Sequence, residues 1–479
     1  MIVRWAGIAG LVGVLATPAF SRAAEPSPHL PPAVSGQIDG DIKAFLKQFD
    51  VAGAAIAVVE RGQVVYTQAY GLRSRAGQLP VRTDTPFEIG SITKQFTAAA
   101  ILQLQEAGKL SIDAPLAAYL PDAPHAKEVT LKQLLSHTSG LQDYLNGPEP
   151  ESEIDRLASR PMSYKDLVAR VQNLPLAFAP GSRWSYSNTG YLLLGRVIEV
   201  VSGENYRDYL QRHILGPVGM RHTFTYADAV QPTGIALGYR HVEGKLERSP
   251  DFHPDWSGAA GFLISTLSDL QRWDRALESG QVVSVADYNA MKSEIVTTDG
   301  EKVGYGLGLF LSKVFDQPRI GHTGGAQGFT TADEYFPLQG TRIIVLTNSG
   351  DKNPEAGEAI TNIVFAHVYP KVVAKADEQA ANEPTGVNAI VRSSFGELQA
   401  GMGYQSFTTK LGSRLMKGPG KKLVTQFAGY GDVSRAIFKG AEEKDHHTWY
   451  RYVLIFSPGV RIDYGVSIDG GQVAGVSFG

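Results

Sequence analysis

The chain has no cysteine in 479 residues, which excludes disulfides, thiol catalysis, lipid attachment through cysteine and iron–sulfur clusters. It also lacks an excess of either charge. Its 45 basic and 48 acidic residues are interspersed rather than blocked and leave a net charge of -3. That balance gives no electrostatic footprint for nucleic acid, so the expected partner is a small molecule or short peptide. Long apolar runs are missing except at the start. There, Arg4 supplies a positive charge, Trp5 to Ala16 is apolar, and Ser21-Arg22-Ala23 flanks a cut after Ala23. This predicts a signal peptide over residues 1–23, too short and too rich in Gly and Ala for a permanent span. The product would be an exported protein, periplasmic or extracellular, with no stable membrane span after cleavage. The 11 histidines show no H-E-x-x-H or other ligand spacing, so neither a catalytic metal nor a cofactor is expected. Nothing in the sequence specifies an oligomeric state.

With 43% hydrophobic residues the chain can build one large domain and a small appendage. Ile38 to Phe49 reads as an amphipathic helix. Val51 to Val59 and Gln63 to Ala69 read as strands around a Glu60-Arg61-Gly62 hairpin. Ser91 to Gly108 carries Phe96, Ala99, Ala100 and Leu104 on one helical stripe. Tyr164 to Gln172, Tyr191 to Ser202 and Ser268 to Ser279 are further helices. Strand signals return at Tyr305 to Val314, Thr330 to Phe336 and Thr341 to Thr347, followed by a helix from about Pro354 to Val368. Strands at both ends with helices between predict an α/β fold, one sheet built from both termini with a helical insertion and a cleft at the boundary. Residues 371–388 read as a linker. Residues 389–479 read as a small α+β module, with a helix on a curved sheet whose runs are Leu423 to Tyr430, Ser434 to Phe438, Trp449 to Phe456, Arg461 to Ile468 and Val473 to Phe478.

Ser91-Ile92-Thr93-Lys94 is an S-x-x-K motif at the start of an apolar helix, where three-residue spacing puts both side chains on one face. An ammonium there can hydrogen-bond the hydroxyl, and a serine needs such a base or cationic neighbour to become a nucleophile. Ser349-Gly350-Asp351-Lys352 repeats the spacing in a Gly/Asn/Pro loop without the helix and reads as a surface turn. Gly475-Val476-Ser477-Phe478-Gly479 fits G-x-S-x-G but lacks the helix that a nucleophile elbow requires. Tyr186-Ser187-Asn188 lies on a loop just before a helix. His322-Thr323-Gly324-Gly325 lies between two strand runs, where a Gly pair lets a backbone approach a ligand closely. Taken singly, either segment reads as ordinary capping, packing or a tight turn.

In this order, and roughly 95 and 135 residues apart, the three motifs resemble those of the class C β-lactamases, serine DD-peptidases, D-aminopeptidases and related esterases. Flanking segments are similar too: Phe87-Glu88-Ile89-Gly90, Leu134 to Leu141 around Ser136-His137-Thr138, Pro180-Gly181-Ser182, Ala260 to Thr266 and Gly304 to Gly308. The resemblance spans about residues 36–370. It implies a β-lactamase/transpeptidase-like antiparallel sheet with flanking helices and a large helical subdomain. The module beyond it looks like the small cystatin-like or NTF2-like companions of some such hydrolases.

Residue by residue, the resemblance implies that Ser91 attacks a carbonyl while Lys94 and Tyr186 manage its proton, the tyrosine pKa being depressed by two flanking cations. Backbone N–H groups of Ser91 and Gly325 would form the oxyanion hole. Asn188 would hold the substrate amide, and His322, Thr323 and Gly324 would line the acyl site. Most β-lactamases of this family carry lysine where this chain has His322. A histidine there shifts weight toward a DD-carboxypeptidase or D-aminopeptidase acting on D-amino-acid peptides, with carboxylesterase and class C-like β-lactamase as alternatives. An imidazole at that place would change charge between about pH 5 and 8. His137 reads as structural. A penicillin-binding sensor that acylates without turnover is the rival from another class, and the three intact motifs argue against it.

Overall fold

The computed structural model describes residues 29–145, 151–225, 234–350, 355–417, 427, 429–444 and 446–478. The expected signal peptide lies outside these residues, as does most of the expected strand Leu423 to Tyr430. Of that strand, Phe427, Gly429 and Tyr430 lie in turns and a bend. Among the described residues no helix is long and apolar enough to cross a membrane.

The main sheet is assembled from both ends of the chain. Its strands are β1 (Gly53–Glu60), β2 (Gln63–Ser74), β3 (Leu79–Pro80), β4 (Phe310–Val314), β5 (Gln317–Ala326), β6 (Phe329–Phe336) and β7 (Thr341–Thr347), in the order β3-β2-β1-β7-β6-β5-β4. All neighbours are antiparallel, and β1 joins the two halves through pairs such as Ile56 with Val345. Arg61 and Gly62 take φ of 48° and 78°, the left-handed pair that a tight hairpin twisted like its strands demands. The expected strand from Tyr305 shortens to Phe310–Val314, because Gly304 and Gly308 turn the chain at φ 65° and 79°. His322 to Gly325 lies inside β5 rather than between strands; Pro318 and three glycines had diluted its β pattern.

Both faces of the sheet are buried, which is why β1 reads as a continuous apolar run. Ala55, Ala57, Ile344 and Leu346 face the helical layer around α2 (Thr93–Glu106), whereas Ala54, Ile56, Ile343 and Val345 face α1 (Pro32–Gln48) and α4 (Ala356–Val368). Helix α2 exceeds its predicted stripe: Thr93 through Leu102 are all buried, with Phe96 stacked on Trp273 at 3.8 Å. Its Ala98-Ala99-Ala100 run lets neighbours approach from every side. Helix α3 (Asn188–Ser202) starts at Asn188, with Ser187 in the N-cap position. That places Asn188 on the helix, not on the loop before it.

In the C-terminal part, helix Val387–Ala400 packs on a four-stranded antiparallel meander of β8 (Val433–Lys444), β9 (His447–Phe456), β10 (Val460–Asp469) and β11 (Gln472–Phe478). Its core is continuous with that of α1 and α4. Phe49 meets Tyr430 edge-on at 5.7 Å, and Arg461 lies over the Phe315 ring at 4.8 Å. The segment expected as a linker is ordered by the same packing. Residues Pro370–Ala376 form a helix, Asp377 pairs with Arg461 and Arg435, and Glu383 accepts a hydrogen bond from Tyr452 at 2.6 Å. Its Ala- and Glu-rich composition concealed these long-range partners.

Candidate active site

Gly90, at φ 51°, leads into a 3-10 turn over Gly90–Ile92 that runs on into α2. A Cβ on Gly90 would lie 2.6 Å from the Gly325 carbonyl oxygen, and one on Gly324 would lie 2.0 Å from that of Ile89. Glycine at both positions is what lets β5 lie directly against the turn that carries Ser91. Ser91 therefore sits in the first turn of a helix, where backbone N–H groups have no intrahelical acceptor, beside the exposed Gly325.

Lys94 points from the same helical face and is completely buried. Its Nζ lies 3.0 Å from Ser91 Oγ, 2.8 Å from Asn188 Oδ1 and 2.8 Å from the Ala260 carbonyl oxygen. Desolvation drives its pKa down to about 7, against a smaller upward pull from Asp143. A neutral amine has two N–H donors and one lone pair. Asn188 and Ala260 are pure acceptors and take the donors, so the lone pair faces the Ser91 hydroxyl. The geometry thus suits proton transfer from Ser91 to Lys94.

Tyr186 contacts the same hydroxyl, and its ring lies 4.8 Å from Lys94 Nζ. Burial raises its pKa above the ordinary phenol value despite the Ser91 hydrogen bond. The expected depression by two flanking cations fails because neither neighbour is a fixed cation. Burial pulls the Lys94 pKa down to about 7, and His322 is pushed down to about 3 by desolvation and by Lys94. His322 donates from Nδ1 to the Thr323 carbonyl, which leaves Nε2 to accept from the Tyr305 hydroxyl at 2.9 Å. It is a neutral wall of the site, 6.2 Å from the Tyr186 ring, and the expected charge change between pH 5 and 8 does not belong to it.

His137 is buried with its ring 4.3 Å from that of Tyr186, and its Nδ1 accepts from the Ser187 N–H at 3.2 Å. Burial holds it neutral, so it shapes and backs the tyrosine. Asn188 is committed at both ends of its amide, Oδ1 to Lys94 and Nδ2 to Asp143 at 2.9 Å. Asp143 also accepts from the Asn188 N–H at 2.6 Å. Sequence reasoning missed Asp143: it lies 45 residues before Asn188, and no periodicity links the two. Its one signal was proximity to the Leu134 to Leu141 segment. Thr323 and His322 both line a cavity beside β5.

The two decoy serines are elsewhere. Ser349 Oγ accepts from the Ala52 N–H at 2.8 Å, and Ser477, on β11, accepts from Arg451 at 2.8 Å. Asp351 and Lys352 of the first decoy, and Gly479 of the second, lie outside the described residues.

Residues 38–367 match the family model described as Beta-lactamase. The chain is 31% identical over 343 residues to penicillin-binding protein 4* of Bacillus subtilis (strain 168), which covers 68% of this chain and 75% of that relative. Among solved structures it is similar to a D-stereospecific amidohydrolase from Streptomyces sp., at TM-score 0.58 and 28% identity, covering 66% of this chain and 95% of that one. It is also similar to the D-amino acid amidase from Ochrobactrum anthropi SV3 complexed with L-phenylalanine amide, at TM-score 0.61 and 25% identity, covering 72% and 100%.

Proposed function

The chain belongs to the beta-lactamase family of serine hydrolases, and from that premise we propose that it is an exported enzyme that cleaves amide bonds of D-amino-acid peptides and amides through an acyl-enzyme on Ser91. One observation carries the chemistry: a buried Lys94, with pKa about 7, whose donors are held by Asn188 and Ala260 while its nitrogen faces Ser91. Ser91 Oγ attacks the carbonyl carbon as its proton passes to Lys94 Nζ. The oxyanion forms against the Ser91 and Gly325 N–H groups. Tyr186, held protonated, donates to the leaving nitrogen and is reprotonated from Lys94. Water then attacks the ester carbon as its proton passes to Lys94 Nζ, and the Ser91 Oγ–acyl bond breaks as Lys94 returns that proton to Oγ, releasing the acid.

The D-amino-acid preference rests on the two solved relatives, and the low rank given to carboxylate-bearing β-lactams rests on charge. Burial lowers the Lys94 pKa and holds His322 neutral, so neither offers a permanent cation to a substrate carboxylate. A neutral ester meets the same charge condition, which makes carboxylesterase the second reading. A panel of D-alanine amide, its L antipode, a D-Ala-D-Ala peptide, a neutral p-nitrophenyl ester and a chromogenic cephalosporin, read as kcat/KM, tests both. The D-amide is expected to exceed the L-amide by about 10²-fold, with the cephalosporin poorest. Ester turnover with no amide turnover would select the esterase, and a cephalosporin ahead of every amide would reject both readings.

Asp143 enters as a positioning residue. In Asp143→Ala, Asn188 loses the acceptor that fixes it, and Lys94 loses the negative charge that raises its pKa. We expect kcat/KM to fall by about 10²-fold and its acid limb to move to lower pH. A lowered plateau with an unmoved limb would confine Asp143 to a packing role.

A further inference from the structure

The β4–β5 pairing ends at Phe310 with Gly321, and β5 continues past it through His322 and Thr323 without a strand on that side among the described residues. A cavity of about 160 Å³ opens there, lined by Phe310, Ser312, Arg319, Thr323, Glu334 and Glu358, with His322 at its rim. It adjoins the catalytic cluster, because its lining residue Phe310 lies 6.2 Å from the Tyr186 ring and 4.7 Å from that of His322.

Its charge is unbalanced in one direction. Arg319 is the one permanent cation among the lining residues, and its guanidinium is already engaged. Nε donates to Ser312 Oγ at 3.0 Å, and Nη1 serves both Glu334 at 3.2 Å and Glu358 at 2.7 Å. Two carboxyl groups therefore share one cation. The Glu334 side chain is buried, whereas that of Glu358 is 38% exposed. Glu355, just before α4, adds negative charge near enough to raise the Tyr186 pKa. Burial raises the Glu334 pKa and Arg319 opposes it, so the partly exposed Glu358 is the carboxylate that a substrate group would meet first. A carboxylate entering this cavity would meet the like charge of Glu358 and an Arg319 already shared by two carboxyl groups. A cation would meet oxygens in excess.

We propose that this cavity is a substrate subsite for a positively charged group, a primary ammonium or guanidinium, on the part of the substrate that runs past Thr323. The subsite selects among substrates of the acyl-enzyme reaction and so rests on that reading. It makes Glu358 a specificity residue, reached from solvent and backed by the Arg319–Glu334 pair.

The test uses the full chain and three activated esters with the same reacting carbonyl, differing only in a terminal ammonium, methyl or carboxylate group. In the unaltered protein kcat/KM for the ammonium ester is expected to exceed that for the methyl ester by about tenfold, with the carboxylate ester poorest. Glu358→Gln, nearly isosteric and at a partly exposed position, should bring the ammonium-to-methyl ratio toward one. Glu358→Lys should place the carboxylate ester first. Turnover of all three esters with a ratio near one, or a ratio the same in both variants, overturns the subsite alone. Failure to hydrolyse any of them, or hydrolysis that survives in Ser91→Ala, overturns the acyl-enzyme reading and the subsite with it.

Discussion

Replacing Ser91 by alanine is expected to lower kcat/KM on every substrate by on the order of 10⁴-fold or more, because residues that act as one unit lose nearly all of their effect together. In the proposed mechanism Lys94 and Tyr186 manage a proton that only the Ser91 hydroxyl supplies, so neither should rescue the variant. The fold should survive, since Lys94 keeps Asn188 and Ala260 as partners. Ser349→Ala and Ser477→Ala serve as controls, for these hydroxyls bond to Ala52 and Arg451 away from the cleft. Steady-state rates together with thermal melts separate lost chemistry from lost folding. A drop of less than about tenfold in Ser91→Ala would contradict the assignment.

The second large effect is on pH. Burial lowers the Lys94 pKa to about 7, and only the neutral amine can take the Ser91 proton. The kcat/KM profile should therefore have an acid limb centred near pH 7, falling about tenfold per unit below it, to about 10²-fold by pH 5. His322, at about 3, and His137, held neutral by burial, do not titrate in that window. Lys94→Met should lower kcat/KM by about 10³-fold and remove the limb.

Stability should change in the opposite direction. The folded chain holds this proton less tightly than the unfolded chain, so stability falls as pH drops from the ordinary lysine range to about 7 and levels below it. Lys94→Met removes that penalty and is expected to raise Tm as it lowers activity, the trade-off of a strained functional group. A Tm decrease, or a limb that persists in the variant, would show that another group sets the profile.

How far the sequence reached depended on how local each signal was. Ser91 and Lys94 were legible because three-residue spacing on a helix is itself the geometry. Tyr186 and His322 were legible only through their order along the chain, and their charge states were not. The pKa values of both are set by burial, which residue type alone does not reveal. Asp143 and the Ala260 carbonyl reach Asn188 and Lys94 across the fold, with no periodic trace. The sheet built from both termini followed from where β-forming runs stood. The ordered segment after Val368 did not, because Asp377 owes its place to Arg435 and Arg461, far along the chain.

The central claim is that turnover passes through an acyl group on Ser91. Its most direct test is to stop the reaction of an activated D-amino-acid ester with acid within the burst phase, digest the protein and read the peptides by mass spectrometry. The peptide carrying Ser91 should bear the mass of the acyl group, mapped by fragmentation to that serine, and Ser91→Ala should show no adduct. Acyl mass on another residue, or a pre-steady-state burst with Ser91 unmodified, would contradict it.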